Sequence, residues 1–123
     1  MPIATNLEAQ FARFNDTWSP KIVGELNGQQ VKLVKLEGDK CPWHAHETQD
    51  EMFLILEGTL EIHLRDGVVL VGPGEFYIVP AAVEHRVVPR GDVKGILFEP
   101  ADTAHTGKVR SGITRESYDR LID

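Results

Sequence analysis

The chain has 123 residues and a mass of 13.7 kDa, the usual size of one domain with a core of its own. Nineteen acidic against thirteen basic side chains give a net charge of -6 and a pI near 5.3, which excludes broad electrostatic capture of nucleic acid or of an anionic membrane surface. With 41% hydrophobic and 26% charged residues and a single cysteine, the composition is neither disordered nor membrane-spanning nor built on disulfides. The first residues carry no basic segment followed by an apolar stretch, so a cytoplasmic location is expected.

In chain order, residues 1–30 read as an N-terminal helix or arm. Leu7, Phe11 and Phe14 recur at helical spacing, and Thr5 with Glu8 fits a capping box, which predicts a short amphipathic helix over residues 5–14. From residue 31 to 100 the pattern changes to brief apolar runs punctuated by glycine, proline and aspartate: VKLVKLEG, EMFLILEG, TLEIHLRDG, VVLVGPG, EFYIVP, EHRVV and KGILFEP. These are the marks of many short strands. No helix-length segment lies between them to carry a parallel crossover, so antiparallel pairing in a sandwich or barrel is expected. Gly58, Asp66-Gly67 and Gly72-Pro73-Gly74 supply the turns. Residues 101–123 form a tail, loop-like through ADTAHTGKVRSG, with TRESYDRLI expected as a short closing helix capped by Thr114.

The stretch WHAHETQDE, residues 43–51, carries the chemistry. Alternate side chains of an extended strand point the same way, so His44 and His46 share a face. Glu51 opens the next strand, where pairing can set its carboxylate beside both rings. Parity then places Glu51, Phe53 and Ile55 on one face and Met52, Leu54 and Leu56 on the other. Both faces are apolar, so the second needs a cover: another strand, the N-terminal segment or a second subunit. Phe53 and Ile55 are the expected pocket-lining residues, with Phe53 preferred over Trp43, Phe76 and Tyr77. His85 follows a turn at Pro80 and shares parity with Val87, so it faces inward, and a closed antiparallel barrel can carry it across to the first three groups.

Other residues of these types read as structural. His63 points outward with Glu61 and Arg65, His105 lies in a polar segment beyond the last strand, and Cys41 is expected as buried or edge structure. Glu47, Asp50 and Glu84 are expected at the surface, with Arg86 and Arg90 near the rim. The cation of an exposed arginine is ordinary there.

Gly38, His44, Ala45, His46, Glu51 and Gly58, at these spacings, resemble the first signature of the cupin superfamily, and Gly74, Pro80 and His85 resemble the second. Ala82 stands where that pattern usually has glycine, and Pro89 where it often has asparagine. The resemblance covers roughly residues 31–100. It implies an all-β, antiparallel double-stranded β-helix, the jelly-roll barrel, forming a single domain over residues 1–123 with short helical segments at both ends. It also implies one divalent metal held by His44, His46, Glu51 and His85. Three imidazoles and a carboxylate suit Fe, Mn, Co, Ni, Cu or Zn better than Ca or Mg.

Small cupins of this kind are often likened to mannose-6-phosphate isomerase, but neither a phosphate-binding glycine loop nor a compact arginine and lysine cluster accompanies the metal residues here. The expected function is metal-dependent chemistry on a small anionic metabolite, as a dioxygenase, isomerase or lyase, with no general base evident from the sequence. The alternatives are a non-catalytic small-ligand binder or sensor and a purely structural ion. The expected partners are that small molecule and a second copy of the chain in a homodimer.

Overall fold

Every apolar run of residues 31–100 becomes strand, and two pairs of runs fuse into single long strands. A computed structural model describes residues 2–114 and 117–121. The strands are β1 (Lys21–Leu26), β2 (Gln29–Leu36), β3 (Glu51–Leu64), β4 (Gly67–Val71), β5 (Phe76–Val79), β6 (His85–Pro100) and β7 (Asp119–Arg120), preceded by one helix, α1 (Leu7–Phe11). The sheet runs β4-β3-β6-β2-β1-β7, with β5 added to β3. All pairings are antiparallel except β1 with β7. This is the jelly-roll barrel expected from the sequence.

The fusion at β3 rests on Gly58. It adopts φ +81, and the pairing register with β6 shifts twice here, between Ile55 and Glu57 and, across Gly58, between Glu57 and Thr59. Such irregularities bend a strand, so one segment serves both sheets of the barrel. Its first half pairs with β5 and its second with β4. The inward side chains Phe53, Ile55, Leu60 and Ile62 meet Val34, Leu36, Val87, Val93 and Leu97 from β2 and β6 in the main core.

Three local expectations are corrected. The helix is five residues long and is capped by Asn6, whose Oδ1 accepts from the Ala9 amide at 2.9 Å, so Thr5 is not the cap. Residues 21–26, assigned to the arm, form β1, joined to β2 through Asn27 and Gly28, both at positive φ, the hairpin turn that Asn-Gly favours. The C-terminal helix is not formed at the described residues: Asp119 and Arg120 lie extended beside Lys21 and Ile22, while residues 115, 116 and 122 lie outside the description.

The second apolar face of β3 finds part of its cover in the N-terminal segment. Phe11 and Phe14 pack on Leu33, with Leu56 and Ile96 against them. Among the described residues no helix is long and apolar enough to cross a membrane.

A Cβ at residue 58 would lie 2.4 Å from the Asp92 carbonyl oxygen and 3.0 Å from Val93 Cγ2. Gly58→Ala should therefore cost about 2–4 kcal/mol, the sum of a left-handed backbone and a backbone clash. Urea unfolding checks this, and a loss under about 0.5 kcal/mol, the range of a neutral surface change, would refute the role given to the bend.

Candidate metal centre

Two strand starts and one short extended segment meet inside the barrel. His44 forms an isolated antiparallel bridge with His85: the His44 amide donates to the His85 carbonyl at 3.0 Å and the His85 amide to the His44 carbonyl at 2.9 Å. The two rings stand 4.4 Å apart by centroid. Glu51 is the first residue of β3 and His85 the first of β6, so both are fixed by the ladders they begin. All four candidate ligands are buried, His85 completely.

The turn that delivers His85 is built around residue 82. Ala82 adopts φ +68, the conformation glycine favours, at a cost of about 1–2 kcal/mol for a residue with a Cβ. Bonds on both sides hold it there. The Ala82 amide donates to the His46 carbonyl at 2.7 Å, and Asp50 Oδ1 accepts from the Ala81 amide at 2.8 Å. Exposed Asp50 thus braces the turn from outside, and Pro89 is buried in β6 without reaching the site.

Neighbouring carbonyls orient two of the rings. His44 Nδ1 donates to the Pro42 carbonyl at 2.8 Å and His85 Nδ1 to the Val83 carbonyl at 2.9 Å. In each ring this leaves Nε2 with a free lone pair directed inward, the arrangement by which outer hydrogen bonds prepare an imidazole for a metal. His46 has no such brace; neither of its ring nitrogens makes a hydrogen bond.

The remaining donor atoms form a set with unmet bonding capacity. His46 Nε2, His85 Nε2 and Glu51 Oε1 are buried and lack hydrogen-bond partners. Both nitrogens lie 3.4 Å from the Glu51 oxygen, and the donor atoms of all four residues fall within 4.8 Å of one another. Around one ion at about 2.1 Å, adjacent donors sit roughly 3 to 3.5 Å apart. Orphaned buried polar groups are costly, and a shared cation satisfies them all, so the residues fit a divalent metal.

The charge states agree. Burial pushes the His44 ring down to about 4, so it is neutral at physiological pH. Burial opposes ionisation of Glu51, but contacts from His46, His85 and Glu99 outweigh it and hold the carboxyl well below its usual range. Behind Glu51 stands Glu99, whose carboxyl burial and the Glu51 charge push well up. Its Oε1 accepts from Lys32 Nζ at 2.8 Å, and both residues are almost fully buried.

The centre opens onto an apolar cavity of about 40 Å³, whose wall includes His44, Glu51 and Phe53. Ile55 lies in the main core, and Phe53 lines this cavity. Cys41 does line it, because residues 41–46 are not a regular strand, and its Sγ lies 3.9 Å from His44 Nδ1. Burial pushes that thiol up to about 11, so it is an unreactive wall group. Trp18, His105, Thr106 and Ile113 also line it. The sequence singled out none of them for the site, since each arrives from outside the strand pattern; His105, read as lying in a polar segment beyond the last strand, reaches the cavity wall.

Residues 32–99 match the family model Cupin_2, the cupin domain. The chain belongs to the cupins. Among solved structures it is similar to a cupin-2 domain containing protein from Shewanella frigidimarina, at 41% identity and a TM-score of 0.76, covering 78% of this chain and 93% of that one. It is similar also to protein NMB1881 from Neisseria meningitidis, at 31% identity and a TM-score of 0.71, covering 80% and 99%. Uncharacterized protein YdbB of Bacillus subtilis is 28% identical over 87 residues, 70% of each chain.

The rest of the cupin's polar surface stays out of the cavity. His63 Nε2 pairs with Glu61 at 2.7 Å, Arg90 with the other oxygen of Glu61, and Arg86 with Asp39. Glu47 and Glu84 are exposed, as expected, and pair with Lys108 and Arg65.

The His44 shift sets a sign for stability after chelator treatment. Its ring titrates near 4 in the fold against 6.5 in an open chain, so between those values the unfolded chain binds the extra proton and stability rises with pH. The expected gain from pH 4 to 6.5 is up to roughly 3 kcal/mol. Glu51 adds to this slope only below its ordinary value and Glu99 opposes it above, so the comparison to make is with His44→Gln. Urea midpoints across this range should climb less steeply in the variant; equal slopes would refute the assignment.

Proposed function

We propose that this cupin holds one divalent transition metal on His44, His46, Glu51 and His85 and binds a small anionic metabolite at the positions the protein leaves open. The observation that carries the reading is the set of buried, partnerless donor atoms converging from three parts of the chain. Four protein donors leave an octahedral ion two further positions. With one carboxylate in the set a dication retains about +1, and in an apolar cavity that residual charge favours a carboxylate, enolate or diketonate.

Bound there, the metal supplies Lewis-acid polarisation of a ligand oxygen, or oxygen chemistry if it is iron. The chain's own groups hold the donors in place and exclude water with Trp18, Phe53 and Ile113. Among the described residues Glu51 is the carboxylate that lines the cavity, and it is the candidate to accept a proton from a bound acid. A non-catalytic binder has the same geometry, so turnover decides between the two. A purely structural ion fits less well, because the main core is continuous through both sheets without it.

Protein purified without an affinity tag should carry about one transition metal per chain by elemental analysis. His46→Ala and His85→Ala should weaken metal binding at least about 100-fold while the circular dichroism of the sheet persists. Full metal occupancy in both variants would refute the centre. Oxygen uptake on carboxylates, diketones or thiols assigns a dioxygenase, and binding without turnover assigns the sensor reading.

A homodimer accompanies this proposal. The N-terminal segment covers Leu33, Leu56 and Ile96, but Phe76 and Ile78 of β5 remain 60% and 47% exposed beside half-buried Met52 and Leu54. An apolar sheet face of this kind suits a two-fold copy of itself. Light scattering should give twice the 13.7 kDa chain mass, and Ile78→Lys should halve it without unfolding. A wild-type mass of one chain refutes the dimer.

A further inference from the structure

The cavity beside the metal ligands is too small for the metabolite that the residual charge favours. At about 40 Å³ it takes a few water molecules. A second, open cleft of about 430 Å³ lies against it, lined by Thr17, Trp18, Lys40, Gly112 and Ile113. Trp18 and Ile113 line both spaces, so the partition between them is made of these two side chains.

The two halves of the partition are held differently. Trp18 is tied to the barrel: its amide donates to the Lys35 carbonyl at 2.9 Å and its Nε1 to the Glu37 carbonyl at 2.7 Å. Among the described residues, Ile113 rides on a turn whose hydrogen bonds are internal to the C-terminal segment. The Thr114 amide donates to the Ser111 carbonyl, the Ser111 amide to Thr114 Oγ1 and the Ile113 amide to Ser111 Oγ, and Gly112 beside it borders open space. A unit closed by its own local bonds opens at lower free energy than one laddered into a sheet.

The cleft also holds a cation. Lys40 is exposed there and has no carboxylate partner among the described residues, while Lys21, Lys32, Lys94 and Lys108 each have one. The chain passes from Lys40 in the cleft through Cys41 in the cavity wall to the ligand His44. Four residues span at most about 14 Å of backbone, so the cleft and the candidate centre are neighbours along this stretch, with Trp18 and Ile113 lining both spaces.

Resting on the metal reading above, we propose that the ligand is an acid with two anionic ends. One end occupies the metal, the other is bound by Lys40, and the ligand enters as the Ile113 turn swings away from Trp18. Lys40 is then a specificity-determining residue and Ile113 the gate.

The test uses cobalt-loaded protein, whose visible absorption reports on ligands at the metal, with adipate and hexanoate as probes of similar length and different charge. Adipate should bind about fivefold or more tighter than hexanoate, the scale of one ion pair of about 1 kcal/mol, and Lys40→Gln should abolish that preference while leaving hexanoate unchanged. Ile113→Val should speed the association of adipate in stopped flow and Ile113→Trp should slow it. Protein that takes up no cobalt overturns the metal reading and this one with it. Cobalt uptake with equal binding of the two acids, with a preference that survives Lys40→Gln, or with association rates indifferent to residue 113 overturns this proposal alone.

Discussion

Two backbone hydrogen bonds between His44 and His85 join the ends of the site that are farthest apart in sequence. They are one rung of an antiparallel ladder, and such a rung fixes the spacing of the side chains it carries. Without it, residues 41–50 would have no regular structure to hold His44 and His46 over the barrel opening, because that stretch forms no strand of its own. The rung also explains the tolerance for Ala82. The strain of a left-handed alanine is offset by the bond from its amide to His46, so one turn secures both the second and the fourth ligand.

Beneath the ligands lies a line of buried charge. Lys32 and Glu99 pair diagonally across β2 and β6, and the Lys32 ammonium also sits 3.8 Å from the Tyr118 ring centroid. A pair this deeply buried is a weak source of stability, because desolvating both ions consumes most of their attraction. Its consequence is positional. Glu99, whose carboxyl burial and the Glu51 charge push well up, is kept behind Glu51 by the bond of its Oε1 to Lys32. Tyr118, whose hydroxyl donates to the Thr103 carbonyl at 2.9 Å, joins this floor to the C-terminal segment. The donor set is thus supported from below by charge and from the sides by carbonyls.

Strand positions and ligand candidates were legible because their signals are local. Period-two alternation and glycine punctuation mark β2 to β6, and the histidine and glutamate spacing marks the centre. What escaped has tertiary causes. Asp119 and Arg120 carry no strand signature and become extended only because Lys21 and Ile22 offer a free edge. KIVGEL is too short and too polar to stand out, although Asn27-Gly28 after it is a hairpin signal that could have found it. Lys32 and Glu99 share inward parity with Val34 and Leu97, yet parity cannot say that two buried charges will meet. His105 and Ile113 reach the cavity by folding back of a loop, which no periodicity records.

That last group bears on how function divides along this chain. The family match spans residues 32–99 and contains every candidate metal ligand. Trp18 comes from before that span, and His105, Thr106 and Ile113 come from after it, yet together they make much of the cavity wall. The contact of Gly107 with the Ala45 backbone, where a Cβ would lie 2.2 Å from the carbonyl oxygen, presses the C-terminal segment directly onto the ligand-bearing stretch. Two chains can therefore carry the same four donors and differ wholly in what they admit, because loops on a rigid scaffold vary more readily than the scaffold. In this cupin the ends of the chain thus add walls to a cavity whose candidate ligands come from its middle.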